Sequence, residues 1–230
     1  MNVEQNLLAA RAALHAALAD PIRLRVVDLL AVGDASSSEL SDRVGAASNL
    51  LAHHLRILES AGVIQRHRSE GDRRRGYWRL IHAALAPAET AETAVLATPE
   101  RVVFVCTANS ARSQLAAALW ERASSVPATS AGTEPGPRIA PGALAAAGRH
   151  DLALADVEPR HLDDVGLRGE GRDLVVTVCD RAHEQLGPVS RVHWSVADPV
   201  PARTRSAFDR AYDDLARRVD RLVPLVRQAG

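Results

Sequence analysis

The sequence predicts two domains of different fold class: a mainly α winged helix-turn-helix domain, then an α/β three-layer domain with a four-stranded parallel sheet. Short amphipathic helical patterns followed by a basic hairpin fill residues 1–95. Apolar β-branched runs alternate with helical patterns over residues 100–230, as is typical of strands buried in a parallel sheet. An Ala-rich stretch with prolines separates them, and we place the boundary near Thr98. Each part is long enough for its own core.

Composition narrows the classes of function. The 28 basic residues, all Arg, balance 28 acidic ones, so DNA binding requires a local basic patch. Two cysteines are too few for a disulfide scaffold, and we see neither a signal peptide nor a membrane span. These features predict a cytoplasmic protein with no membrane partner, in which a cysteine is catalytic or packed.

The first half contains four successive helical patterns, of which the first is Ala/Leu-rich and runs from Leu7 to Ala19. Asp20 precedes Pro21 as a helix N-cap, and the helix it begins is predicted to run to Ala31. A short helix then ends at Gly45, and another spans about residues 47–60. Two short helices joined by a glycine turn predict a helix-turn-helix.

The second of these two helices has one apolar and one polar face. Leu51, Leu55 and Leu58 form the apolar stripe. The opposite face, which we predict to contact DNA, carries Ser48, Asn49, Ala52, His53 and Arg56.

A basic β-hairpin follows this helix. Strands are predicted over residues 63–68 and 74–80, with the turn at 69–72. Residues 66–79 contain six Arg and two acidic residues, Glu70 and Asp72, so the hairpin has a net positive charge. We therefore predict a wing that contacts DNA phosphates, chiefly through Arg73, Arg74 and Arg75. The alternative is a small helical interaction module with a solvated charged hairpin.

Residues 18–25, 51–58 and 61–64 resemble ArsR-type winged-helix repressors. The resemblance implies a homodimer joined through the first and last helices, a recognition helix in the major groove of a double-stranded DNA operator, and release by an inducer.

Three features depart from that family. Ser36 and Ser38 lie where arsenic-sensing members carry a Cys-x-Cys pair, and a serine hydroxyl does not replace a thiolate as a soft ligand. His82 is the only His in the predicted last helix, which is too sparse for a metal site. Leu50 replaces a residue that is usually polar in the recognition helix. The inducer therefore stays open.

In the second half, a buried strand ends at Cys106 and a polar loop leads into a helix predicted from Gln114. Such a loop wraps around a tetrahedral oxyanion with its backbone N–H groups, and the helix N-terminus adds positive charge that stabilises the Cys106 thiolate. Arg112 grips two oxygens, Ser113 donates to the sulfur, and Asn109 holds the loop. The predicted oxyanion-binding residues are Thr107, Ala108, Asn109, Ser110, Ala111 and Arg112.

Two later strands supply partners. Residues 173–179 end at Cys179, and residues 192–196 lead to Asp198, a candidate general acid. The carboxyl ends of parallel strands meet at one edge, so Cys106, Cys179 and Asp198 are expected to share it. Taken alone, Asp198 also fits an ordinary Asp-Pro turn and Cys179 a packed thiol. A closing amphipathic helix is predicted over residues 206–227.

This half resembles the low-molecular-weight tyrosine phosphatase fold and, within it, the arsenate reductases, through residues 105–114, 130–133, 173–179 and 193–199. The resemblance implies that Cys106 is the nucleophile, Arg112 the oxyanion clamp and Asp198 the general acid. Cys179 lies where the reductases keep a second cysteine. Members bind potassium near the loop, but Ala117 replaces the usual Glu, so we expect no such ion and no metal or tightly bound cofactor.

Few aromatic residues and a second cysteine favour an arsenate reductase over a phosphatase, since reduction requires another thiol to attack Cys106. Leu186 replaces the third cysteine of the thioredoxin-linked reductases. Either an outside reductant opens a Cys106–Cys179 disulfide, or a small thiol attacks the arseno-cysteine; mycothiol, glutathione and thioredoxin-type donors stay open. The alternatives are a phosphatase fused to a regulator, and a repressor that senses arsenate or phosphate without turnover.

Overall fold

The structure is a computed structural model that describes residues 3–85, 99–154, 158–168 and 172–226. Its contacts divide the chain into two compact units, the first carrying the predicted helices and both strands of the hairpin and the second the predicted parallel sheet, with residues 70–72 of the hairpin turn counted in the second. The boundary predicted near residue 98, and most of the Ala-rich stretch, lie outside the described residues. No helix among the described residues is long and apolar enough to cross a membrane.

The first unit contains the predicted helix-turn-helix. Its helices are α1 Val3–Leu18, α2 Pro21–Val32, α3 Ser37–Val44, α4 Ser48–Ser60 and α5 His82–Leu85. Asp20 caps α2 as predicted, accepting a hydrogen bond from the Arg23 N–H at 3.1 Å. Gly45 ends α3 with φ +71°, a conformation in which glycine carries no steric penalty.

A small antiparallel sheet follows the helices. Its strands are β1 Ala35–Ser36, β2 Ile64–Arg68 and β3 Gly76–Leu80, in the order β1-β3-β2. Ile64 pairs with Leu80 and Arg68 with Gly76, so the predicted hairpin is confirmed. The two-residue strand β1 was not predicted, since it is too short to show an alternating pattern.

One apolar core joins the helices to the hairpin of the first unit. Leu40, Leu51 and Leu58 are almost fully buried in it, together with Ile64 of β2. Polar contacts add to it, since the Trp78 indole N–H donates to Ser37 Oγ at 2.9 Å. These contacts fix α4 and leave its outer face exposed.

The second unit is an α/β fold. Its elements are β4 Arg101–Cys106, α6 Arg112–Ala123, β5 Ala128–Gly132, α7 Pro141–Arg149, α8 Leu162–Val165, β6 Asp173–Thr177, α9 Asp180–Leu186, β7 Val192–His193 and α10 Arg205–Leu222. Among the described residues, the strands form one sheet in the order β5-β4-β6-β7, and each neighbouring pair is parallel. This confirms the predicted four-stranded parallel sheet and places β4 between two strands.

Two strands end earlier than predicted. Strand β6 stops at Thr177, and not at Cys179, because Cys179 is already the N-cap of α9. Strand β7 stops at His193, and not at Val196, because its recognised partners among the described residues are Val176 and Thr177, where β6 ends.

Two helix boundaries also differ from the prediction. Helix α6 begins at Arg112, two residues before the predicted start at Gln114. Helix α10 ends at Leu222 and continues as a 3-10 turn, so the predicted extent to residue 227 was wrong. Pro224 explains this end, since it lacks the N–H that another helical turn requires.

Candidate active site and candidate DNA interface

Cys106 is the last residue of β4, between the carboxyl ends of β5 and β6. It is 3% exposed, and both it and Cys179 are free thiols. Arg112, Asp198 and Cys179 line the same cavity as Cys106, so the structure brings together the residues predicted to share this edge of the sheet.

The loop after Cys106 has its carbonyl groups bound on the outside. The N–H groups of residues 133, 134, 136 and 140 donate to the carbonyls of residues 106, 107, 108 and 110 at 2.8–3.1 Å. Gly132 allows this close approach, since a Cβ there would lie 2.5 Å from the Thr107 carbonyl oxygen. Within the loop, the Asn109 N–H donates to Cys106 Sγ at 3.2 Å, in keeping with amides that face the sulfur.

Asn109 is the centre of the loop's support. It has φ +49° and is fully buried. Its Nδ2 donates to Ser113 Oγ at 2.9 Å and to Ser130 Oγ at 3.0 Å, while its Oδ1 accepts from the Arg160 N–H at 3.1 Å. Because a positive φ costs a non-glycine residue energy, these bonds offset the strain of the loop.

Ser113 lies beside the sulfur as predicted. Its Oγ is 3.1 Å from Cys106 Sγ, and the side chain is fully buried in the first turn of α6. A hydroxyl at this distance donates a hydrogen bond to a thiolate sulfur.

Arg112 begins α6 and is 7% exposed. One terminal nitrogen donates to the Val196 carbonyl at 2.9 Å and the other lies 2.9 Å from Asp198 Oδ2. Burial acts to lower the pKa of the guanidinium, but the negative charges available at Cys179, Asp198 and Cys106 outweigh it and raise the pKa above its ordinary value. Arg112 is therefore a permanent positive charge in this cavity.

Cys179 faces the loop of residues 107–111 from the start of α9. Its Sγ is 3.4 Å from Thr107 Oγ1, and the residue is 2% exposed. Burial raises the pKa of this thiol, although the charge of Arg112 opposes the shift. At neutral pH Cys179 is therefore a thiol that must lose a proton before it attacks another sulfur.

Asp198 lies at the mouth of the cavity with a partly exposed side chain. Its Oδ1 accepts from the Val200 N–H at 3.0 Å, and its other oxygen lies against Arg112. Val200, Pro201 and Ala202 form the adjacent wall of the cavity, which on this side presents small aliphatic groups and no aromatic ring.

Sequence reasoning missed several supports of the loop. The amide of Gln114 donates to the Asn109 carbonyl at 3.2 Å, and Arg160 donates to the Ser130 carbonyl at 3.1 Å. The stretch 130–133 was noted only through the family resemblance, and nothing in the local pattern singled out Arg160. Its contacts depend on how separate segments pack.

The residues predicted to contact DNA lie on one exposed surface of α4. All five of them, Ser48, Asn49, Ala52, His53 and Arg56, are exposed. His54, next to them in the sequence, is buried and lies 3.6 Å from Asp20 Oδ1, so it belongs to the packing of α4 on the start of α2.

The hairpin Arg residues fall into two groups. Arg73, Arg74 and Arg75 are exposed at the turn. Arg66 lies over the Trp78 ring at 5.9 Å, and Arg79 forms an ion pair with Asp34 at 3.2 Å. Arg68 of β2 is exposed as well.

Ser36 caps helix α3. Ser36 Oγ accepts from the Glu39 N–H at 3.3 Å, and Glu39 Oε2 accepts from the Ser36 N–H at 2.7 Å, which is a capping box for α3. Across the described residues, no group of His, Cys, Asp and Glu side chains is arranged to hold a metal ion.

Two family models match the chain. Residues 101–229 match the model described as low molecular weight phosphotyrosine protein phosphatase, and residues 20–66 match the bacterial regulatory protein, arsR family. The second match covers most of α2 to β2, which includes the helix-turn-helix.

Individual relatives match each part. Transcriptional repressor SdpR of Bacillus subtilis is 36% identical over 52 residues, 23% of this chain and 58% of the repressor, less than two thirds of its length. Arsenate reductase 1 of Bacillus cereus is 32% identical over 124 residues, 51% of this chain and 90% of that enzyme. A crystal structure of arsenate reductase from Archaeoglobus fulgidus has 29% identity and a TM-score of 0.45, covering 54% of this chain and 98% of that one.

Proposed function

The chain belongs to the low molecular weight phosphotyrosine protein phosphatase family, and within it we propose that the second unit is an arsenate reductase fused to an ArsR-type DNA-binding regulator. One observation carries the enzymatic proposal: two free thiols, Cys106 and Cys179, line one cavity with Arg112. Hydrolysis of a phosphate ester uses one nucleophilic thiol. Reduction of arsenic(V) to arsenic(III) uses two thiols, each of which supplies one electron.

The reaction starts with the Cys106 thiolate attacking arsenic. A sulfur–arsenic bond forms and one arsenate oxygen leaves as water after protonation, for which Asp198 is the proposed acid. The amides of residues 107–111 and the Arg112 guanidinium bind the remaining oxygens. Arsenic is still in the +5 state at this point.

Reduction occurs in the second step. The Cys179 thiolate attacks Cys106 Sγ, the disulfide forms, and the electron pair of the broken sulfur–arsenic bond stays on arsenic, which leaves as arsenite. Two molecules of an external thiol, or one dithiol, then reduce the Cys106–Cys179 disulfide and are themselves oxidised. A thioredoxin-type protein, glutathione and mycothiol all satisfy this balance.

The wall beside Asp198 supports an inorganic substrate. A phosphotyrosine side chain gains binding energy when its ring packs on an aromatic neighbour. Val200, Pro201 and Ala202 offer no such surface, whereas a tetrahedral oxyanion needs only the loop and Arg112. Similarity to Arsenate reductase 1 of Bacillus cereus over 90% of its length supports the same assignment.

For the first unit we propose sequence-specific binding to double-stranded DNA as a homodimer. In this proposal the face of α4, which is exposed, enters the major groove, and the exposed Arg73, Arg74 and Arg75 contact phosphates. Similarity to the arsR family over residues 20–66 supports this assignment.

The test of the enzymatic proposal is arsenite release by the purified full chain. Arsenate is supplied with glutathione, mycothiol or a thioredoxin system in separate reactions, and Cys106→Ser and Cys179→Ser are assayed beside the parent. We expect turnover with at least one donor and its loss in both variants. Survival of turnover in Cys179→Ser would indicate direct attack by the small thiol, and absence of turnover with every donor contradicts the reductase.

Phosphatase activity is the second candidate, and the position of Asp198 favours it. A carboxyl group at the cavity mouth, 2.9 Å from Arg112, is suited to protonate the leaving group of a phosphate ester. Hydrolysis of p-nitrophenyl phosphate tests this candidate, because phosphatase activity needs one thiol and should persist in Cys179→Ser. A chain that hydrolyses this ester efficiently but releases no arsenite is a phosphatase. A chain that does neither, yet changes its DNA affinity with arsenate, is a sensor.

A further inference from the structure

A buried polar network surrounds the start of α9, outside the proposed chemistry. His183 of α9 and His193 of β7 are stacked, with ring centroids 4.0 Å apart and planes 7° from parallel. Thr177 Oγ1, at the end of β6, lies 3.1 Å from His193 Nδ1 and 3.4 Å from His183 Nδ1. One hydroxyl thus contacts both rings.

The network contains a buried charge. His193 Nε2 lies 3.2 Å from Asp180 Oδ1, an electrostatic contact whose geometry is not that of an aligned hydrogen bond. Burial acts to raise the pKa of Asp180, but its contacts with His193 and Ser195 outweigh this and lower the pKa below its ordinary value. Asp180 is therefore ionised at neutral pH although it is 2% exposed. An ionised buried carboxylate holds its partners firmly, because leaving it unpaired is costly.

This network joins directly to Cys179. Asp180 follows Cys179 in the chain and is the first residue of α9. The His183 N–H donates to the Cys179 carbonyl at 3.2 Å and forms the first turn of the helix. Asp180 and His183 thus fix the backbone of Cys179, while His193 and Thr177 fix those two residues to the sheet.

We propose that His193, acting through Asp180 and His183, is a positioning residue that holds Cys179 Sγ in the cavity against Thr107. The proposal rests on the role of Cys179 as the second thiol in the proposed function. Because the network lies on β6, α9 and β7, its loss displaces Cys179 and spares Cys106, whose supports are Asn109 and Ser113.

The test compares the reactivity of the two thiols. His193→Phe keeps a ring to stack on His183 but removes both nitrogens, and His193→Gln restores a donor. Each variant is made in Cys106→Ser, where iodoacetamide reports on Cys179, and in Cys179→Ser, where it reports on Cys106. His150→Phe is the matched control, since His150 is also stacked, on Tyr212 at 3.8 Å, and also lies near a carboxylate, that of Asp209.

We expect His193→Phe to raise the alkylation rate of Cys179 by about tenfold or more, because local opening exposes a buried thiol. The rate at Cys106 should change by less than about twofold, His193→Gln should fall between, and His150→Phe should match the parent. An unchanged Cys179 rate, or equal changes at both thiols, overturns the proposal. Should His193→Phe fail to fold, Asp180→Asn tests the same prediction.

Arsenate adds an independent measurement. A single turnover in the otherwise unmodified chain should form the Cys106–Cys179 disulfide about tenfold more slowly in His193→Phe, since the attacking sulfur is misplaced. If no arsenate is reduced but the alkylation rates respond as expected, the proposed function fails and the positioning of Cys179 stands. If arsenate is reduced but the alkylation rate of Cys179 is unchanged, the proposed function stands and the positioning role of His193 fails.

Discussion

The proposed oxyanion loop, residues 107–111, and the outer face of α4 present side chains in opposite ways. In the loop, Asn109 is fully buried and bonded to residues from several segments. On α4, Asn49 is exposed, and its Oδ1 accepts from the N–H of the adjacent Leu50 at 2.8 Å. The loop is held by tertiary contacts, whereas the helix face follows from local helical geometry.

This difference determines how substitutions act. Changes in the loop alter several hydrogen bonds at once, so activity and stability should fall together. Changes on the helix face remove single exposed groups, so DNA binding should fall while the free energy of unfolding stays nearly constant.

Arg112→Lys should produce the largest effect. A lysine offers neither the planar fork nor the paired contacts to Val196 and Asp198. We expect kcat/KM for arsenate to fall by about 10²–10³, the usual consequence of losing one oxyanion donor. Steady-state assays measure kcat/KM, and inhibition by phosphate measures the affinity of the loop for an oxyanion. Arg191→Lys, at an exposed Arg just before β7, is the control, and a threefold or smaller effect of Arg112→Lys would contradict the assignment.

Asn109→Ala should destabilise the second unit by about 2–4 kcal/mol, since it removes several buried hydrogen bonds and keeps a strained positive φ. Asn49→Ala, the same change on α4, should cost less than about 0.5 kcal/mol. Urea unfolding, monitored in each unit by hydrogen exchange, measures the stability costs of the two variants. Equal losses in the free energy of unfolding would contradict the contrast between the buried loop and the exposed helix face.

The triple variant Arg73→Ala, Arg74→Ala and Arg75→Ala tests the exposed region by its salt dependence. If each Arg contacts a phosphate, the slope of log K against log salt should become shallower by roughly 2–3. The matched triple change to Lys keeps the charge and should keep most of the slope. Binding to a DNA site selected from a random pool provides the measurement, and an unchanged slope in the Ala variant would exclude the hairpin from phosphate contact.

Ser36→Ala should produce the smallest effect, a loss of about 1 kcal/mol in the first unit, because Ser36 caps α3. Ser38→Ala, two residues on and exposed, is the control and should be nearly neutral. Hydrogen exchange of the α3 amides measures both changes. A larger loss in Ser38→Ala than in Ser36→Ala would contradict the capping assignment.

Prediction from the sequence succeeded where structure depends on near neighbours in the chain. The cap at Asp20, the turn at Gly45 and the hairpin of β2 and β3 each follow from a few adjacent residues. It failed at the ends of β6, β7 and α10. At β7 the end depends on the strand partner, and at α10 the effect of Pro224 was overlooked.

The same division applies to the candidate site. The order of Cys106, Arg112 and Ser113 along one strand–loop–helix segment was readable, because a loop that short places its ends side by side. The contributions of Ser130, Arg160 and Gln114 to the loop were not, because they depend on side-chain directions and on packing between segments.

By itself, the sequence determined that this chain has a helix-turn-helix with a basic hairpin and a parallel α/β unit with a cysteine-arginine loop, since the periodicity and spacing of side chains express local geometry. Only the tertiary structure decided that Cys179 lies 3.4 Å from Thr107 and that Asp180, His183 and His193 form one buried network beside it. Those contacts join β4, β6, α9 and β7, and they arise only when the sheet aligns the carboxyl ends of its strands.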